Sequence, residues 1–95
     1  MAGKEFIMAR FTAKIFPWEN NLGWQEHDFV DRTGKDIEEM FFDLNKLQFT
    51  LEDLEITKRD YSIEVYENSR KLTEFWLSEY LKDGVLIGDT KYTVA

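Results

Sequence analysis

Between Glu5 and Phe16 the chain alternates. Ile7, Ala9, Phe11, Ala13 and Ile15 share one parity and are all apolar, whereas Phe6, Met8, Arg10, Thr12 and Lys14 share the other. A period of two sends successive side chains to opposite faces of a strand. The pattern therefore predicts a strand whose odd residues sit on a core. No other feature constrains the chain as strongly, because a strand with one apolar face needs sheet partners beside it and a layer above it. Pro17, the only proline, is expected to end the strand, since it has no N–H to give to a ladder.

Trp18 to Trp24 reads as a connection, because Asn20, Asn21 and Gly23 tolerate turn geometry. A second strand is expected from about Trp24 to Val30, forming a hairpin with the first. Thr33-Gly34-Lys35-Asp36 has the form of a capping box. Ile37, Met40, Phe41, Leu44 and Leu47 then recur at helical spacing, which predicts a helix over about 34–47. Asp60 to Glu67 alternates as a strand. Phe49 to Thr57 is open to two readings, a strand pairing with 60–67 or a short helical turn capped by Thr50; the strand from about Leu54 is preferred. Leu72, Trp76, Leu77, Tyr80 and Leu81 share one wide face and predict a second helix over about 69–83, stopped by Asp83-Gly84. Val85–Ile87 and Tyr92–Val94 bracket a final hairpin.

The expected order is β-β-α-β-β-α-β-β. The economical architecture is α+β: a mostly antiparallel β-sheet with two helices, about 34–47 and 69–83, packed on one face. Ninety-five residues make one compact domain, 1–95, with no room for a second core. Residues 1–7, ahead of a second methionine at position 8, are readable as a flexible extension.

Catalytic and metal chemistry find little purchase. There is no cysteine, which removes disulfides and thiolate chemistry and fits a reducing, cytoplasmic setting. The single histidine, His27, lies in Glu26-His27-Asp28, where a strand would turn the three side chains to alternate faces. No nucleophile elbow, His-x₃-His pair, EF-hand loop or phosphate-binding loop is present. Gly34-Lys35 lacks the flanking glycine and hydroxyl residues of such a loop, although the helix start there could hold an anion weakly. No catalytic residue, metal ligand or cofactor is assigned. A small ligand-binding protein or enzyme using His27 would need a concave pocket around that residue.

Charge is more informative. Nineteen carboxylates oppose twelve Lys or Arg, a net of −7. Phosphates repel such a chain, so neither direct nucleic-acid binding nor an anionic membrane is expected. Residues 19–56 hold eleven carboxylates against Arg32, Lys35 and Lys46, a net of −8, so the excess is concentrated there. On the predicted helix Phe42 falls opposite the apolar stripe, among Glu38, Glu39, Asp43 and Lys46. An aromatic anchor in a charged rim is the make-up of an interface; the plainer alternative tucks Phe42 under a neighbouring loop. Trp18 and Trp24 flank the connecting loop, as core residues or as binding hot spots. A solvated acidic face kept for solubility would account for the charge equally well.

The functional expectation is a small non-enzymatic interaction protein. Asp36, Glu38, Glu39, Phe42, Asp43, Trp18 and Trp24 are the candidate partner-binding residues. The partner would be a basic protein, and a nucleic-acid-binding one would accept carboxylates where phosphates normally lie. Inhibitors of the anti-defence or immunity type act in this way as a class. The alternative is a structural or adaptor subunit, including a homo-oligomer, because eight Phe, four Tyr and three Trp exceed what one small core needs to hide.

Overall fold

The computed structural model describes residues 10–24 and 29–94. The expected strand over 5–9, the extension at 1–7 and the Glu26-His27-Asp28 cluster lie outside these residues. Strand β1 (Phe11–Glu19) is the centre of a five-stranded antiparallel sheet. On one side it pairs with β4 (Arg59–Glu67) over nine residues, from Phe11↔Glu67 to Glu19↔Arg59. β4 in turn pairs with β5 (Arg70–Trp76). On its other side β1 meets β2 (Gly23–Trp24) and β3 (Val30–Gly34).

Ala13 and Ile15 of β1 are buried, and directly beside them lie Val65 and Ile63 of β4, also buried. The odd residues thus form the core face, as the alternation requires. Pro17 does not end the strand: it lies within β1, opposite Tyr61. The pairing on the other side explains why. Ile15 meets Val30 but Trp18 meets Trp24, so three steps along β1 answer six on the returning chain. Pro17 sits inside that break, where a missing N–H costs no ladder bond.

Three helices cover the core face where two were expected. α1 (Ile37–Asn45) buries Met40, Phe41 and Leu44, each worth roughly 1.5–3 kcal/mol of apolar transfer. It starts later than the sequence implied, because Thr33 and Gly34 complete β3 and Asp36 is the cap. The Asp36 side chain accepts from Glu39 N at 2.8 Å, and Glu39 accepts in return from Lys35 N at 3.1 Å. Those carboxylates occupy the helix start, so the weak anion site expected there is already filled from within the chain. α2 (Leu51–Thr57) replaces the preferred strand: Thr50 and Asp53 form a reciprocal capping box, Leu54 is buried, and Lys58 ends the helix in the left-handed region.

The expected helix 69–83 is also corrected. Its first half is β5 and only Leu77–Asp83 is helical, as α3. The β4–β5 register shifts between Val65 and Tyr66, whose partners are Thr73 and Lys71. Leu72 is skipped, and a bulge of this kind breaks the period of two by which a strand is recognised. Asp60 joins sheet to helix, accepting from Ser78 N at 3.1 Å and Ser78 Oγ at 2.5 Å. α3 stops at Gly84, where φ is +78°. Hairpin β6 (Val85–Ile87) and β7 (Thr90–Tyr92) follows, with β7 two residues earlier than expected. Val85, Ile87 and Tyr92 pack against the same core, and the Tyr92 ring stacks on Phe41 at 4.8 Å.

Candidate functional site

The candidate residues divide between two faces of the molecule. Asp36, Glu38, Glu39, Phe42 and Asp43 belong to the start and outer side of α1. Trp18 and Trp24 belong to the sheet. Because α1 packs on the odd face of β1 and Trp18 has even parity, the two groups lie on opposite sides of the sheet and cannot meet one partner surface together.

On the helical side Phe42 is 61% exposed. Its ring faces Lys46 Nζ, 4.7 Å from the centroid, and the same ammonium lies 3.4 Å from Asp43 Oδ1. A cation is thus held by an aromatic face and a carboxylate together. Asp43 and Lys46, with Asp31, Arg32 and Thr33, also wall a shallow depression of about 350 Å³ between β3 and α1. The helical residues of α1 and α2 include no Lys or Arg and carry Glu38, Glu39, Asp43, Glu52, Asp53 and Glu55. Among the described residues Glu38, Glu52 and Glu55 have no ion-pair partner. Acids in a first turn complement the helix dipole, so part of this charge serves the helices themselves; that need does not reach Asp43 and Glu55, which lie beyond the first turn.

On the sheet side sequence reasoning missed most of the surface. Trp18 and Trp24 pack edge to face at 5.0 Å, and Trp24 stacks on Trp76 at 5.8 Å with planes 7° apart. Phe16 meets Phe29 at 5.1 Å. Lys14 lies over the Tyr66 ring at 4.8 Å and 6.0 Å from the Phe29 centroid. Ending the strand at Pro17 left Trp18 off the even face, and reading 69–83 as a helix placed Trp76 on its apolar side. The signal was present: Lys14, Phe16 and Trp18 continue the even parity straight across the proline.

Titration reflects local contacts at the sheet's ends and surface. Hydrogen bonds from Arg10 hold the Glu67 carboxyl below its ordinary range, and the nearby charges of Arg10 and Arg70 add to this. The hydrogen bond to Glu64 raises the Tyr66 hydroxyl. Pairing with Glu74 raises Lys71. Burial raises Tyr80, whose hydroxyl donates to Asn45 Oδ1 at 2.8 Å beside an apolar cavity of about 240 Å³. That cavity's lining holds no carboxylate, histidine or lysine. No cluster of three or more metal-ligating side chains occurs among the described residues. No helix among them is long and apolar enough to cross a membrane.

Fold and surface define an α+β domain with an acidic helical layer and an aromatic sheet face. Comparison with protein-family models, with curated proteins and with solved structures finds no match.

Proposed function

We propose that the protein is a non-catalytic binding module that docks its acidic helical layer on a basic protein. A surface that otherwise carries nucleic acid is the partner it fits best, making the protein an inhibitor of that partner. The observation that carries this reading is the Phe42–Asp43–Lys46 arrangement. An exposed ring and a carboxylate already grip a cation there, on the helix whose Glu38 has no ion-pair partner among the described residues. A partner's Lys or Arg would take the place of Lys46. Encounter would be steered by long-range charge and weakened by salt.

The test is affinity capture from a lysate with the full chain, comparing wild type with Glu38→Lys/Glu39→Lys/Asp43→Lys. The reading expects a basic protein lost with the triple variant, lost at high salt, and displaced by added nucleic acid. An unchanged set of captured proteins overturns it. Lys46→Ala sharpens it: removing the internal competitor should tighten binding about two- to fivefold, the worth of an exposed cation–π contact.

A further inference from the structure

All three tryptophans of the chain, Trp18, Trp24 and Trp76, fall in one cluster on the sheet face away from the helices. Every described element outside the sheet packs on the other face: α1 through Met40 and Phe41, α2 through Leu54, α3 through Leu77 and Tyr80, and the last hairpin through Ile87 and Tyr92. An antiparallel sheet that leaves one face to water normally carries polar residues there. This one carries Phe16, Trp18, Trp24, Phe29, Tyr66 and Trp76. Trp24 is 47% exposed, and Trp76 and Phe29 are each 39% exposed. Trp24 and Trp76 belong to the two outermost strands of the β2-β1-β4-β5 path, yet their rings stack, so the cluster bridges the inner strands.

We infer that this aromatic face pairs two copies of the chain, sheet against sheet. Three strands of seven to nine residues, with the shorter β2 and β3 forming a fourth row beside β1, lie about 4.8 Å apart and present a footprint of roughly 19 by 25 Å before the rings corrugate it. Once the rings corrugate it, that approaches the ~800 Å² of accessible surface per partner of a stable interface. Charge chooses the second copy over the alternatives. The helical layers are acidic and repel one another. On the sheet face Lys14 and Lys71 interleave with Asp31, Glu64 and Glu74, so neither a polyanion nor a strongly basic surface is favoured. Lys14 has its ammonium over the Tyr66 and Phe29 rings and sits between Asp31 and Glu64 on the neighbouring strands, so both signs of charge are presented side by side and a second copy related by a two-fold axis can match them.

The sole tryptophans make this face its own reporter. Mass by light scattering and tryptophan emission would be followed together from about 0.5 to 200 μM, a range that brackets micromolar affinity. The inference expects a monomer-to-dimer rise in mass and a blue shift of emission over the same concentrations. Trp24→Ser/Trp76→Ser should shift the midpoint at least tenfold upward, whereas Phe42→Ala should leave it unchanged. A wild-type monomer of constant emission throughout overturns the inference. So does a dimer that survives the double tryptophan change, or one that is lost with Phe42→Ala. Failure here leaves the acidic-layer reading intact, because the capture experiment uses residues on the opposite face.

Discussion

The two exposed faces are built by opposite means. The helical layer takes its character from charge: short helices bury a narrow apolar stripe and turn acids outward, around the single ring of Phe42. The sheet face takes its character from rings, with cations and carboxylates interspersed between them. One core serves both, since Ala13, Ile15, Ile63 and Val65 support the helices with their side chains and the aromatic face with their backbone. The difference teaches that composition averaged over this chain conceals its organisation. The acids are contiguous in sequence, whereas the rings come from β1, the returning chain, β4 and the end of β5.

The largest expected effect should separate the faces. Gly34 ends β3 against the first turn of α1, and a Cβ there would lie 2.6 Å from Met40 N and 3.0 Å from Glu39 C. Backbone cannot yield as a side-chain tip does. Gly34→Ala should therefore cost about 1–3 kcal/mol, the range of overpacking. Amide exchange should accelerate first in α1 and β3, with tryptophan emission from the sheet face little changed. If β4 and β5 open equally, the two layers are not separable.

A smaller effect distinguishes the observed helix start from the one implied by sequence. Asp36→Ala removes the cap and should cost about 1 kcal/mol, read as a lower urea midpoint. Thr33→Ala should cost much less, because Thr33 is an exposed residue of β3. Equal losses would return the helix start to Thr33.

The smallest effect probes the far end of the sheet. Glu67 accepts from Arg10 at 2.8 Å and from Arg70 at 3.2 Å, and its carboxyl titrates below the ordinary value of 4.5. Its contribution is present above that value and disappears as pH falls through the lower, folded value. Wild type should melt slightly above Glu67→Gln at pH 6, with the gap closing as the pH falls from 4.5 through the lower, folded value. A gap that persists in acid would mean that Glu67 acts through packing.

Much of this architecture is legible in the residues. The odd parity of β1, the stripe of α1, the alternation of 60–67 and the stop at Gly84 are each repeated local signals. What fails to read has physical causes. A proline inside β1 looks terminal until the break in pairing beside it is known. The bulge at Leu72 destroys the alternation of β5, so Leu72, Trp76 and Leu77 fall by chance at helical spacing. Thr50-x-x-Asp53 did announce α2, but seven residues are too few for periodicity to outweigh neighbouring β-propensity. The acidic part of the candidate site was legible because it is local in sequence. The aromatic part was not, because rings from four strands meet only once register is fixed.

The long ladder between β1 and β4 also governs how the chain gets there. It closes at Glu19↔Arg59, where the two side chains form an ion pair, and Asn20 N reaches Lys58 O at 3.3 Å. The segment strung between those ends is the one with nearly all the excess negative charge. By contrast, β4 and β5 turn through Asn68 and Ser69 alone. That hairpin can nucleate within microseconds, while docking β1 must close a loop of nearly forty residues against its own self-repulsion. Refolding should therefore be limited by that closure and quickened by modest salt, so the charge arrangement sets the tempo of folding as well as the character of one face.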